Sequence, residues 1–176
     1  MSSESKNHTE IRGQAIICFL IAALAFVPAI AGADTYIYGP TVIDSPGTYV
    51  LMSDVLNYNG TVYYNGTEYW EPCFKILASD VVLDGNGHTI TGVVNSSRTD
   101  YYLSLGYVPD QNCIMVNPGL ERVHVKNFRI LGEFDVGIDY YPVVDGLIEN
   151  NELSDNAYGI FTWNTNHVDI IGNTAT

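Results

Sequence analysis

Six aspartates, Asp80, Asp84, Asp135, Asp139, Asp155 and Asp169, are the residues with which this chain would hydrolyse a sugar bond. That chemistry needs two carboxyl groups about 5–9 Å apart, one to protonate the leaving oxygen and one to activate water or attack the ring. Asp80 and Asp84 flank one apolar stretch, and Asp135 and Asp139 flank another. Copper or zinc would draw on His88, His124, His167, Met52, Met115, Cys73 and Cys113. No HxxxH or CxxC spacing occurs among them, and the acidic turns match no defined calcium loop. Which of these groups meet depends on the elements that carry them.

Those elements repeat. The phrases DVVLDGNGHTI (80–90), RVHVKNFRI (122–130), DGLIENNEL (145–153) and HVDIIGNTA (167–175) align on Leu83, Val125, Ile148 and Ile170. The last three anchors are 23 and 22 residues apart. A period of this size with both apolar and charge register points to a stacked-repeat architecture. Three short alternating runs recur in each unit. The first holds Phe74/Ile76, Ile114/Val116, Ile138/Tyr140 and Ile160/Thr162. The second holds Val81/Leu83, Val123/Val125, Gly146/Ile148 and Val168/Ile170, and the third Ile90, Ile130, Leu153 and Ala175. No amphipathic helix is visible after residue 33. The expected fold is all-β, a parallel β-helix with three short strands per coil of about 22–24 residues. Its hand follows from the general right-handed preference of parallel connections.

Stacking puts equivalent residues about 4.8 Å apart. Charges of opposite sign then face each other on the outer wall: Asp80, Arg122 and Asp145; Asp84, Lys126 and Glu149; Arg129 and Glu152. Such a ladder favours this register over its slips and neutralises Asp80 and Asp84 as catalytic candidates. No two histidines share a column, so no metal site is assigned, and no catalytic residue is named. Asn127, Asn150, Asn151 and Asn173 fall between the second and third strands, where asparagine tolerates the tight left-handed turn and its amide can link one coil to the next.

Cys73 and Cys113 each precede the first inward residue of a coil, so they are expected to be column neighbours. That separation lies within the disulfide window of about 4.4–6.8 Å, and the two expected states are a disulfide or a stacked pair of thiols. Insertions at 57–72 and 93–112 carry the aromatic residues Tyr58, Tyr63, Tyr64, Tyr69 and Trp70, then Tyr101, Tyr102 and Tyr107. Rings beside amides and carboxylates suit weak stacking on sugars; the competing expectation is that they pack on each other and shield the wall. Asn59, Asn65 and Asn95 head glycosylation sequons, the first two also being Asn-Gly turn signals.

Residues 15–27 are an unbroken apolar run followed by Pro28 and small residues, so 1–33 reads as a secretory signal peptide, with an uncleaved membrane anchor as the rival. Residues 34–56 are expected as an N-terminal cap and 57–176 as the coils. Removing the leader takes Glu4, Glu10, Lys6 and Arg12 together and leaves the net charge at −13. Such a surface repels nucleic acid and anionic lipid, so contact with a membrane is expected only through the N-terminal segment.

The phrases SPGTYVLMSDV (45–55), ASDVVLDGNGHTITG (78–92) and IENNELSDNAYGI (148–160) resemble secreted right-handed parallel β-helix proteins. The class is that of NosD-like, carbohydrate-binding and sugar-hydrolase repeats, common on archaeal cell surfaces. The resemblance covers nearly all of 45–176 and implies the right-handed fold. It spans several activities: surface-layer and adhesive proteins, glycosidases with clustered aspartates, lyases with an arginine or lysine base beside an acidic calcium site, and copper-accessory factors. After the leader only Lys75, Arg98, Arg122, Lys126 and Arg129 are basic, and three of them have acidic column neighbours. The function expected is that of a secreted or cell-surface protein with a structural or carbohydrate-binding role and a polysaccharide or surface glycan as partner. No cofactor is required, calcium being the one left open. The alternatives are a fragment of a polysaccharide lyase or glycoside hydrolase, or a copper-accessory protein. The chain reaches Thr176 part-way through a coil with no C-terminal cap, so it is expected to be part of a longer protein.

Overall fold

Runs such as Val81-Val82-Leu83-Asp84 and Val123-His124-Val125-Lys126 bury every second side chain, and each forms a strand. A computed structural model describes residues 32–93 and 111–176, and among them all regular structure is β. The chain divides into Met1–Ile30 and Ala31–Thr176, and every described residue lies in the second unit. The leader expected at 1–33 lies almost wholly outside the described residues.

After β1 (Thr35–Ile37), the chain runs through β2 (Thr41–Ile43), β3 (Gly47–Leu51) and β4 (Val55–Tyr58). A hairpin of β5 (Thr61–Tyr64) and β6 (Thr67–Trp70) follows. The next circuit is β7 (Phe74–Ile76), β8 (Val81–Asp84) and β9 (Thr89–Gly92). Then come β10 (Asn112–Val116), β11 (Leu120–Glu121), β12 (Val123–Lys126) and β13 (Arg129–Leu131). They are followed by β14 (Val136–Tyr140), β15 (Val143–Val144), β16 (Leu147–Glu149) and β17 (Glu152–Ser154). The last described circuit is β18 (Tyr158–Thr162), β19 (Asp169–Ile171) and β20 (Thr174–Ala175).

Equivalent strands of successive circuits pair in parallel. Sheet one is ordered β1-β3-β8-β12-β16-β19, sheet two β2-β7-β10-β14-β18, and sheet three β4-β9-β13-β17-β20. This rotation through three parallel sheets is consistent with a parallel β-helix. The expected register is observed: Leu83 pairs with Val125, Val125 with Ile148, and Ile148 with Ile170. Phe74, Ile114, Ile138 and Ile160 form another column, and Ile90, Ile130, Leu153 and Ala175 a third. Leu83, Val125, Ile148, Ile114, Ile138 and Ile130 are wholly buried. Each such side chain contributes about 1.5–3 kcal/mol on leaving water.

Corners are columns too. Asp80, Arg122, Asp145 and His167 all enter sheet one with φ between 53° and 60°, and Asn127, Asn150 and Gly172 leave it with φ of 58°, 54° and 65°. Asp, Asn and His tolerate this left-handed geometry through short polar side chains; Arg122 does not have that advantage. At the exit corner Asn151, which is buried, accepts from Phe128 N at 3.0 Å and donates to Asn173 Oδ1 at 2.9 Å. Asn173 in turn donates to Ile148 O at 2.8 Å, so the amides do link coil to coil.

Two circuits differ from the three strands per coil expected: each carries a fourth short strand, β11 or β15, and these two pair in parallel with each other. Residues 34–56, expected as an N-terminal cap with a strand at Thr48–Met52, supply β1, β2, β3 and the start of β4, which join the three sheets. Residues 57–72, expected as a loop, fold into the β5–β6 hairpin because Thr61–Tyr64 alternates and Asn65-Gly66, at φ of 50° and 77°, makes the mirror-image turn that two-residue hairpins favour.

Candidate functional site

The outward residues of sheet two stack in columns of their own. Lys75, Met115, Asp139 and Phe161 stand in one, and Asn112, Val136 and Tyr158 in the next. Inward Ile114, Ile138, Val116 and Tyr140 hold these strands to the core, so the outer groups sit on rigid backbone. Over this face lies a hollow of about 460 Å³, lined chiefly by Met115, Pro118, Tyr141, Tyr158, Phe161 and Asp139. Tyr158 and Phe161 meet edge to face with centroids 6.0 Å apart, and Tyr158 is 59% exposed. Asn112 is buried and donates through Nδ2 to Asp139 Oδ2 at 2.8 Å. Asp135, at the other end of β14, accepts from Gln111 N at 3.0 Å.

Asp135 and Asp139 both line the hollow, but four residues of extended strand separate their Cα atoms by about 13 Å. The arrangement offers a ligand exposed ring faces and a fixed, hydrogen-bonded amide–carboxylate pair.

The aromatic candidates divide. Tyr58 and Trp70 pack edge to face at 6.0 Å against the core, and Tyr58 Oη donates to Glu71 O at 2.9 Å and lies 3.1 Å from Pro72 O. Burial pushes the Tyr58 phenol up, so it stays a neutral donor. Tyr63, Tyr64 and Tyr69 are exposed on the hairpin and border a second hollow of about 520 Å³. Tyr101, Tyr102, Tyr107 and Asn95 lie outside the described residues. Asn59 and Asn65 are both exposed, Asn65 at the hairpin tip.

The charge ladder forms in part as expected: Arg122–Asp80, Lys126–Asp84 and Arg129–Glu152 pair, while Asp145 and Glu149 take other partners. Arg122 grips Asp80 through Nε and Nη2 at 2.6 and 3.0 Å and Glu121 through Nη1 at 2.6 Å. Hydrogen bonding to Asp80 raises its pKa further. Asp145, expected on its other side, lies 3.3 Å from His167 Nδ1 instead. Lys126 Nζ is 3.5 Å from Asp84 Oδ2, whereas Glu149 lies 3.0 Å from His124 Nε2. Arg129 Nε meets Glu152 Oε2 at 2.9 Å as expected. A guanidinium fork filled by one carboxylate and a chain neighbour has little left for a second column partner, so histidine takes the spare acid.

Among the described residues no three His, Cys, Asp or Glu side chains group as a metal site. Cys73 and Cys113 are buried free thiols, so of the two expected states this structure holds the reduced one. Tyr141, Tyr158 and Phe161 were not singled out by the sequence, and Met115 only as a possible metal ligand. Met115 and Phe161 were signalled in the alignment as the outward alternates of the Ile114/Ile138/Ile160 column, whereas strict alternation would turn Tyr158 inward. Set beside known proteins, the chain matches no protein-family model, no curated protein and no solved structure.

Proposed function

We propose that this chain is a right-handed parallel β-helix that works outside the cell or on its surface, holding carbohydrate against the outer face of its second sheet. The hand rests on the strong preference of parallel crossovers. Export rests on the apolar run at 15–27 and the small residues after it. The observation that carries the binding role is the hollow where Tyr141, Tyr158, Phe161 and Met115 surround the Asn112–Asp139 pair. Ring faces cover the C–H side of a sugar, while an amide and a carboxylate meet its hydroxyls; concave apolar walls with a few fixed polar groups are the usual form of such sites.

A glycan array probed with the full chain, followed by calorimetric titration of the hits, tests this. Tyr158→Ala and Phe161→Ala are each expected to weaken binding by about fivefold or more, the loss of roughly 1 kcal/mol of ring contact. Tyr63→Ala and Tyr69→Ala on the hairpin are expected to change it less than about twofold on the same scale. Binding lost only through the hairpin residues would move the site there. Silence across neutral and acidic glycans would overturn the reading.

A further inference from the structure

The pairing of Phe74 with Ile114 sets the residues before them, Cys73 and Cys113, side by side on adjacent strands. The exposures are 1% and 0%. The same column continues through Gly137 and Gly159, so the thiols face each other in a place otherwise given to the smallest residue. Burial, and then the hydrogen bond to Cys73, holds the Cys113 thiol well above its ordinary range. Packing alone asks only for a small residue here, and alanine would serve. Two adjacent thiols add a chemistry that alanine lacks.

We propose that Cys73 and Cys113 are an oxidisable pair that closes as a disulfide and staples the chain between β7 and β10. The oxidant is an external disulfide, such as oxidised glutathione. One cysteine loses its proton and its thiolate attacks the reagent's S–S bond, giving a mixed disulfide and releasing one reduced thiol. The second cysteine loses its proton and attacks the protein-side sulfur, releasing the other thiol. The protein gives up two protons and two electrons, and the reagent's disulfide takes them up to become two thiols. The reaction is slow in the folded state, because thiolate is scarce at a buried site and the reagent has no path to it. It quickens when β10 opens locally at its N-terminal end. The inference stands on the strand register and does not rest on sugar binding.

The test incubates the full chain with oxidised glutathione, with and without mild urea, and maps peptides under non-reducing conditions. A linked Cys73–Cys113 peptide is expected, forming faster in urea and absent from Cys73→Ala and Cys113→Ser. The oxidised protein is expected to melt about 5–10 °C above the reduced one, since the bridge closes a loop of roughly 40 residues. Because Cys18 is also present, the Cys18→Ala chain should give the same linkage and the same shift. Glutathione left on either cysteine without closure would overturn the proposal. So would linkage only through Cys18, or a bridge that lowers the melting temperature.

Discussion

The outer faces of sheets one and two share a backbone design and differ in what their columns carry. On sheet one, Asp84, Lys126 and Glu149 stand in sequence, with His124 in the column beside them. The charges take each other as partners, at 3.5 Å for Lys126–Asp84 and 3.0 Å for His124–Glu149. On sheet two, Met115 and Phe161 stand on either side of Asp139, and Tyr158 overhangs the neighbouring column. Rings wider than the strand spacing cannot lie flat over one another's partners, so they tilt and leave a hollow. A stack thus turns the choice of residue type at one position into a surface property. Complementary charge closes a face on itself, and rings around a hydrogen-bonded pair leave it receptive.

The sharpest way to break the comparison is at the corner below sheet one. Asn151→Ala removes the acceptor for Phe128 N and the donor to Asn173, leaving buried backbone without a partner. A loss of about 2–3 kcal/mol is expected in urea unfolding. Phe161→Ala, on the receptive face, is expected to cost less than about 1 kcal/mol while weakening glycan binding, because its ring is not part of the core. If Phe161→Ala were the more destabilising of the two, the aromatic face would be a packing surface and the contrast would fail. A smaller effect separates charge from backbone geometry. Arg122 bonds Asp80 and Glu121 in the open but holds a φ of 53° that suits glycine. Exposed ion pairs contribute little, so Arg122→Gly is expected to unfold at the same urea concentration as the parent or higher. A clear fall in the midpoint would mean that the ladder stabilises the stack after all.

Leu83, Val125, Ile148 and Ile170 made the stack legible, because a period-two strand fixes both the buried side and the pairing partner. The corner amides were legible for the same reason. Arg122 shows where that reading ends. Its column was right, but choosing between Asp80, Asp145 and Glu121 depends on side-chain reach, which alignment does not encode. The hollow was missed for a related cause. Tyr158 and Phe161 share one strand with Ile160 and Thr162, the pair expected to point inward, and the aromatic residues expected at a site were those of the insertions. Of those, Tyr58 and Trp70 went inward because Gly60 lets the β6 return pack close against the chain, a folding-back that composition does not announce.

The smallest effect expected is a pH dependence confined to the charged face. Burial holds His124 below its ordinary value of 6.5; Glu149 opposes this and Lys126 adds to it, with Asp84 also near. The unfolded chain therefore takes up this proton at higher pH than the folded chain does. The contribution is complete above about pH 6.5 and is lost as pH falls below it. Asp54 and Asp80 are held below 3.8, by the Thr89 amide and by Arg122 respectively, so their contributions are lost only in more acid solution. Urea midpoints at pH 7.5 and 5.5 should therefore fall for the parent chain and fall less for His124→Gln, with His88 and His167 present in both. Glycan affinity should be unchanged by that substitution at either pH, since His124 belongs to sheet one and does not line the hollow. An equal fall in both chains would remove His124 as the cause, and a change in glycan affinity would show that the two faces are coupled through the core.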